Sequence, residues 1–206
     1  MQPWTMNQRT LLESAGLFIM VYLVLLTLSL YYGSAYAGFL LPLYRWELGH
    51  LAQDYDIQGL MLGDSHGEGV VILTLLSQYF VIGGHVVPSG ISISCSTLVG
   101  HALQHPLLIL SLAVAWPAST LARRMVQLCC ALPFLLLVEL LDIPLILLGS
   151  AQDLMMANFP SANGSFLVGW MNFLNGGGRP ALSIFAAMMA VTCSKLLRPE
   201  PGQQSI

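Results

Sequence analysis

The chain has 206 residues, of which 56% are hydrophobic and only 8% are charged. Soluble domains carry about 25% charged residues, so a soluble globule is disfavoured here, and a disordered chain, a coiled coil and a basic nucleic-acid binder are excluded. The formal net charge of −3 is too small to indicate a partner. We therefore expect an α-helical polytopic membrane protein whose partners are lipid and other membrane or envelope proteins, with no nucleic acid.

Four apolar stretches are long enough for about four transmembrane helices. They cover residues 12–30, 98–121, 125–148 and 180–197. The first stretch is longer than a signal-peptide core, which favours a retained anchor, with cleavage near Ala35-Tyr36-Ala37 as the alternative. The sequence thus predicts four regions: a tail and first helix at 1–32, an outer segment at 33–97, a three-helix membrane region at 98–198 with an outer loop at 149–179, and a tail at 199–206.

The lysines and arginines near the ends of these helices predict the orientation, because cytoplasmic loops of membrane proteins are enriched in them. If both termini are cytoplasmic, five basic residues lie inside and two lie outside. The inner five are Arg9, Arg123, Arg124, Lys195 and Arg198, and the outer two are Arg45 and Arg179. Residues 122–124 would then form a tight cytoplasmic turn, and we expect a multi-pass protein of the cell inner (plasma) membrane.

The outer segment between the first two spans changes character along its length. Residues 36–53 place Leu40, Tyr44, Leu48 and Leu51 at helical spacing, which predicts an amphipathic helix on the membrane surface. The stretches at 54–62, 69–82, 85–87 and 91–94 are rich in β-formers, and 86–91 resembles a tight hairpin. We expect a small extracytoplasmic β unit, with a re-entrant segment as the alternative for 69–82. In the second outer segment, 166–174 predicts a short interfacial helix.

Cys95 is the cysteine that lies in a polar stretch, where the predicted sheet gives way to the second span. With Ser96 or Thr97 as the helix cap, the helix dipole would lower the pKa of this thiol and favour a nucleophilic thiolate. His101 or His105 would be the base, and Arg179 would stabilise an oxyanion. The alternative is an ordinary Ser/Thr-rich cap in which Cys95 has no chemical role.

His101 and His105 are also one helical turn apart, a spacing that suits metal or haem ligation. A third ligand would have to come from His85, Cys95 or the Met155-Met156 pair. No further metal signature completes the site, so no cofactor is expected, although metal or haem stays open.

Glu139 and Asp142 stand in the middle of an apolar helix. A carboxylate there costs about 2.5–3.5 kcal/mol on insertion scales and should face other helices or water. Their i, i+3 spacing puts both on one helix face, as a proton or cation site or as polar contacts to His101, His105 or Arg179.

Arg179 itself follows three consecutive glycines, Gly176 to Gly178. Such a string allows a sharp turn or the close approach of a ligand. Arg179 would stand at the start of the fourth span, where it would hold an anion together with the free N–H groups of that helix. The alternative is a simple re-entry turn in which Arg179 reaches the lipid headgroups.

The order of these features resembles the exosortases and archaeosortases, membrane cysteine transpeptidases that process carboxy-terminal sorting tails. The similar part is a β segment running into a Cys at the mouth of a helix, a basic turn and a second helix, at 86–148, together with Arg179. The string Ser94-Cys95-Ser96-Thr97 stands where the family has Ala-Cys-Ser-Gly. The family has an Arg near the outer end of the next helix; this chain has none there and carries Glu139 and Asp142 in that region. The family's His near the fourth span is also missing.

These observations favour a non-enzymatic role: an inner-membrane protein that acts by interaction, accessory to the assembly, sorting or export of an envelope component. Its working surface would be the outer face around six residues: Cys95, His101, His105, Glu139, Asp142 and Arg179. The resemblance supports a second possibility, a Cys95-dependent peptidase or transpeptidase. A third is a metal- or haem-binding subunit with ligands at His101 and His105.

Overall fold

A computed structural model describes residues 8–63, 69–82, 85–118, 120–158 and 165–197. The helices are α1 (Gln8–Leu51), α2 (Val99–Ala115), α3 (Leu121–Asn158), α4 (Phe166–Phe173) and α5 (Arg179–Leu197). The strands are β1 (Tyr55–Gly63), β2 (Gly69–Leu76), β3 (Phe80–Ile82), β4 (His85–Val87) and β5 (Ser92–Leu98). The predicted tail at 199–206 and Arg198 lie outside the described residues.

The fold is mostly helical with a small sheet, as the sequence predicts. Within the described residues, three helical stretches are long and apolar enough to cross a membrane: Leu11–Leu51, Leu121–Asn158 and Phe166–Leu197. α2 is equally apolar but shorter, at 17 residues. The first stretch has an apolar window in which no residue is buried within the protein, so its surface is the one most suited to lipid.

α1 is one continuous helix of 44 residues, where the sequence predicted a span and a separate surface helix. Gly33, taken as the break, instead lies so close to Leu103 that an added Cβ would be 2.7 Å from its Cδ1. The predicted apolar stripe exists, but Leu40, Tyr44 and Leu48 are buried against protein rather than lying on a membrane surface. The stripe fails as a membrane-binding face because the sheet and α3 cover it.

The sheet is antiparallel, with order β1-β2-β5, and β3 pairs with β4 in a separate two-stranded sheet. Residues 69–82 therefore form strands, and the re-entrant alternative is wrong. The predicted hairpin at 86–91 is also wrong, because β4 pairs with β3 whereas β5 pairs with β2. A turn does occur there, with Gly90 at φ 85°.

The connection between α2 and α3 lies a few residues earlier than predicted. α2 ends at Ala115, since Pro117 follows and disfavours helix at the residue before it. α3 begins at Leu121, so residues 122–124 lie in its first turn rather than in a loop. α3 also continues to Asn158, ten residues past the predicted end. The predicted helices at 166–174 and 180–197 correspond to α4 and α5.

The chain forms two compact units. Unit 1 comprises Met1–Tyr31, Gln104–Val138 and Pro180–Ile206. In its core, small residues of α5 meet α2 and α3, which lets the helices approach closely. The core residues are Ile109, Ala113, Ala131, Leu135, Val138, Ala186, Ala187 and Ala190.

Unit 2 comprises Tyr32–Leu103 and Glu139–Arg179, and it contains the whole sheet. Its main core joins the second half of α1 to β2, the start of α2 and α3; among its members are Tyr44, Ile72, Ala102 and Leu147. A second cluster packs Met155 against strand residues such as Ile93. Unit 2 also holds the polar residues that the sequence singled out on α3.

Candidate functional site

Glu139 is a fully buried carboxylate of α3 in unit 2. Tyr36 Oη donates to its Oε1 at 2.8 Å, and Tyr44 Oη donates to its Oε2 at 2.6 Å. Both tyrosines are on α1, eight residues or about two turns apart. Together they bind the two oxygens of one carboxylate on α3. Hydrogen bonds to a charged acceptor are short and about twice as strong as neutral ones. This contact fixes α1 to α3 at a defined register.

Asp142 lies one turn further along α3 and is also fully buried. Arg179 Nε donates to both of its carboxylate oxygens, at 2.9 Å and 3.1 Å. Arg179 Nη1 donates to Asn175 Oδ1 at 3.1 Å, which orients the guanidinium from the other side. The prediction that the α3 acids contact Arg179 is confirmed for Asp142.

The segment Leu174–Gly178, called the glycine kink below, presents Arg179 to Asp142. It joins α4 to α5 as a wide helical turn in which Gly177 leaves the helical conformation, with φ 108° and ψ 6°. Only glycine adopts such a φ without strain. Arg179 was predicted to hold an external anion, but the anion in this structure is the carboxylate of the chain itself.

Trp170 of α4 adds a further contact to the same helix. Its Nε1 donates to the carbonyl of Leu141 at 2.8 Å. The sequence predicts this Trp at the membrane–water boundary, and the structure gives it a backbone partner on α3. In unit 2, α3 is therefore held by side chains of α1 and α4 and by Arg179.

Cys95 lies inside β5, opposite Ile72 of β2, and α2 begins four residues later at Val99. The prediction of a thiol at a helix N-terminus is therefore wrong. The side chain is half-buried on the face of β5 that also carries Ile93 and Thr97. Burial raises the pKa of the Cys95 thiol, which is the opposite of the activation predicted from a helix dipole.

The two histidines of α2 have different partners. His101 Nδ1 lies 3.1 Å from Thr97 Oγ1 in unit 2. His105 belongs to unit 1, is fully buried, and has Nδ1 2.8 Å from Ser183 Oγ of α5. In these contacts each ring meets a hydroxyl group, Thr97 for His101 and Ser183 for His105.

The metal hypothesis needs three ligands in one place. In the described parts of the chain, no group of three or more His, Cys, Asp or Glu could hold a metal ion. Met155, one of the third ligands considered, is buried in the apolar cluster with Ile93 and Leu76. The side chain of His85, another of them, lies outside what the structure describes.

Tyr36, Tyr44, Asn175 and Ser183 are the polar partners that the sequence did not single out. A signal existed for Tyr44, which is on the apolar stripe of α1 and carries a hydroxyl that needs a partner when buried. A buried carboxylate likewise needs donors, so the acids of α3 and the tyrosine of the stripe were candidates for each other. Asn175 and Ser183 carried no comparable pattern.

Comparison with protein-family models, with curated proteins and with solved structures gives no match for this chain.

Proposed function

We propose that the chain is a polytopic inner-membrane protein that acts by interaction, as an accessory in the assembly, sorting or export of an envelope component. One observation carries this proposal. The groups that would serve chemistry are used for internal contacts: Glu139 binds two tyrosines, and Asp142 binds Arg179. Such contacts hold the helices of unit 2 together, which leaves its exposed surface as the part that meets other molecules.

The membrane placement is supported by the three long apolar helical stretches and by α2, whose 17 residues are about 25 Å long at 1.5 Å per residue. A bilayer core is about 30 Å thick and accepts helices of about 17–25 residues. We infer four spans, formed by α1, α2, α3 and α4–α5. The asymmetry of Lys and Arg favours cytoplasmic termini, with the sheet on the outer side.

Labelling single cysteines in intact cells tests this orientation. In a background with all four native cysteines replaced, Gln58→Cys on β1 and Ala122→Cys at the start of α3 put one exposed thiol at each predicted side. A membrane-impermeant maleimide should label Gln58→Cys in intact cells and Ala122→Cys only after permeabilisation. The reverse pattern would overturn the proposed orientation.

The outward face of the sheet is the surface we propose for partner contact. Leu73 of β2 is 39% exposed there, and Ser94 and Ser96 of the adjacent β5 are also exposed. A strand face with exposed apolar side chains is typical of a surface that another protein covers. Leu73 pairs with Ser94 and Val71 with Ser96, so an apolar side chain and two hydroxyl groups lie side by side on this sheet face.

A photo-crosslinking amino acid at Leu73 tests the interaction role in cells. We expect a discrete product that contains one envelope or membrane protein, and reciprocal purification of that protein should recover this chain. The matched control is Leu23 of α1, which is 53% exposed and predicted to face lipid. Identical protein adducts from both positions, or none from Leu73, would contradict the proposal.

A further inference from the structure

The two units carry opposite charge. By sequence, unit 1 holds five basic and two acidic residues, a formal charge of +3, and unit 2 holds two basic and eight acidic residues, a formal charge of −6. The two acids of unit 1 are Glu13 and Glu200. Unit 1 is therefore the part of the chain that attracts anions.

The described basic side chains of unit 1 lie at one end of its helices. α2 ends next to Trp116, and α3 begins five residues later with Arg123 and Arg124 in its first turn. Lys195 is in the last turn of α5, and its Nζ lies 5.5 Å from the centre of the Trp116 ring. This contact places the end of α5 beside the α2–α3 connection. We call Trp116, Arg123, Arg124 and Lys195 the basic end of unit 1.

Two of these charges are placed where the helix itself disfavours them. The N-terminus of a helix carries a partial positive charge, which repels a cation in the first turn. The first turn of α3 contains two arginines and no acid. An anion at this position would interact favourably with both the arginines and the helix dipole.

Trp116 fits one source of such an anion better than a free ion in solution. An indole at the end of an apolar helix is typical of headgroup depth in a bilayer, where its ring contacts lipid and its N–H reaches water. The exposed Lys195 over its face adds an ammonium at the same depth. Juxtamembrane clusters of Lys and Arg are attracted to the negative surface of anionic lipid.

We propose that the basic end of unit 1 is a binding site for the phosphate headgroup of an anionic phospholipid. This inference rests on the membrane placement proposed above. Arg123 and Arg124 supply positive charge from the start of α3, and Lys195 beside Trp116 supplies it from the end of α5. The site anchors unit 1 to one leaflet.

Native mass spectrometry of the full-length protein in detergent tests this site by counting bound lipids. The probes are phosphatidylglycerol and phosphatidylcholine with the same acyl chains, and inorganic phosphate in a third series. We expect phosphatidylglycerol to be retained in preference to phosphatidylcholine, with little displacement by millimolar phosphate. The Arg123→Gln/Arg124→Gln variant should bind phosphatidylglycerol about 25-fold more weakly, which is about fivefold, or about 1 kcal/mol, per charge.

Arg45→Gln is the matched control, because Arg45 is an exposed arginine of unit 2 and should not affect lipid retention. Lys195→Gln is a second test variant, far in sequence from Arg123 and Arg124, and should bind phosphatidylglycerol about fivefold more weakly. Equal retention of the two lipids, equal loss in Arg45→Gln, or efficient competition by inorganic phosphate would each overturn the site. Cysteine labelling and crosslinking at Leu73 report on the proposed function separately, so failure of the two proposals can be told apart.

Discussion

Arg179 and Asp142 form an ion pair inside unit 2, with Arg179 Nε 2.9 Å from Asp142 Oδ2. Both side chains are almost completely shielded from solvent, at 6% and 0% exposure. Burial of two charges costs several kcal/mol per ion, and their attraction repays that cost only with good geometry and further hydrogen bonds. Here Asn175 supplies one such bond and the second carboxylate oxygen another.

Removal of one member of this pair should destabilise the protein strongly. Asp142→Asn leaves the guanidinium buried beside a neutral amide, for an expected loss of about 3–5 kcal/mol. The measurement is the thermal midpoint of the purified protein in detergent, followed by tryptophan fluorescence. Asp153→Asn is the control, since Asp153 is an exposed acid of the same helix and should change the midpoint little.

The double replacement Asp142→Leu/Arg179→Met should recover much of the stability lost in Asp142→Asn. Replacing a buried pair by apolar residues of similar volume is often neutral or stabilising. A double variant that is less stable than Asp142→Asn would contradict a purely structural pair and point to a further function of the two charges.

The two tyrosines of α1 should contribute unequally to the stability of unit 2. Tyr44 is fully buried and gives the shorter hydrogen bond to Glu139, whereas the bond from Tyr36 is only partly buried. Tyr44→Phe should cost about 1.5–3 kcal/mol, as expected for a bond to a charged group, and Tyr36→Phe should cost less. Tyr32→Phe, an exposed tyrosine one turn earlier, is the control. Equal loss of stability in Tyr32→Phe and Tyr44→Phe would show that the hydrogen bond to Glu139 does not stabilise unit 2.

The Cys95 thiol should react slowly with maleimides near neutral pH. Burial raises its pKa, so less of it is thiolate at about pH 7 than of an exposed thiol, and its labelling rate should still be rising at a pH where that of an exposed thiol has levelled off. The comparison is Ser94→Cys in a Cys95→Ser background, which puts a thiol on the exposed side of the same strand. In both proteins the other three cysteines are replaced. Faster labelling of Cys95 than of Ser94→Cys at about pH 7 would revive the nucleophile hypothesis.

The glycine kink should tolerate alanine at one position and not at the next. Gly177 has φ 108°, where an L-residue is strained by roughly 1–2 kcal/mol or more, whereas Gly176 has open space around it and an ordinary φ. Gly177→Ala should lower the thermal midpoint and Gly176→Ala should not. Both variants add the same methyl group to an exposed residue, so the difference between them reports the φ of Gly177. Equal midpoints would mean that the kink is not fixed by the φ of Gly177.

The type of each element, helix or strand, was predictable from local sequence. Its apolar runs predicted the helices, because a helix that faces lipid must be apolar along its length whatever its partners are. β-Formers in short runs bounded by Gly, Pro and Asp predicted the strands, because strand and turn preferences are local properties of the chain. The spacing of Glu139 and Asp142 predicted that both acids share one side of α3, because helical periodicity is fixed by the backbone.

Which residues contact each other, and therefore which role each polar residue has, followed only from the tertiary structure. The stripe of α1 has the pattern of a membrane-surface helix, and only the position of the sheet and α3 turns it into a core face. Cys95 has the local sequence of a helix cap, but pairing with Ile72 extends β5 through it. The tyrosine donors of Glu139 are 103 and 95 positions away from it in sequence. Such pairings depend on packing between distant segments, which local patterns do not encode.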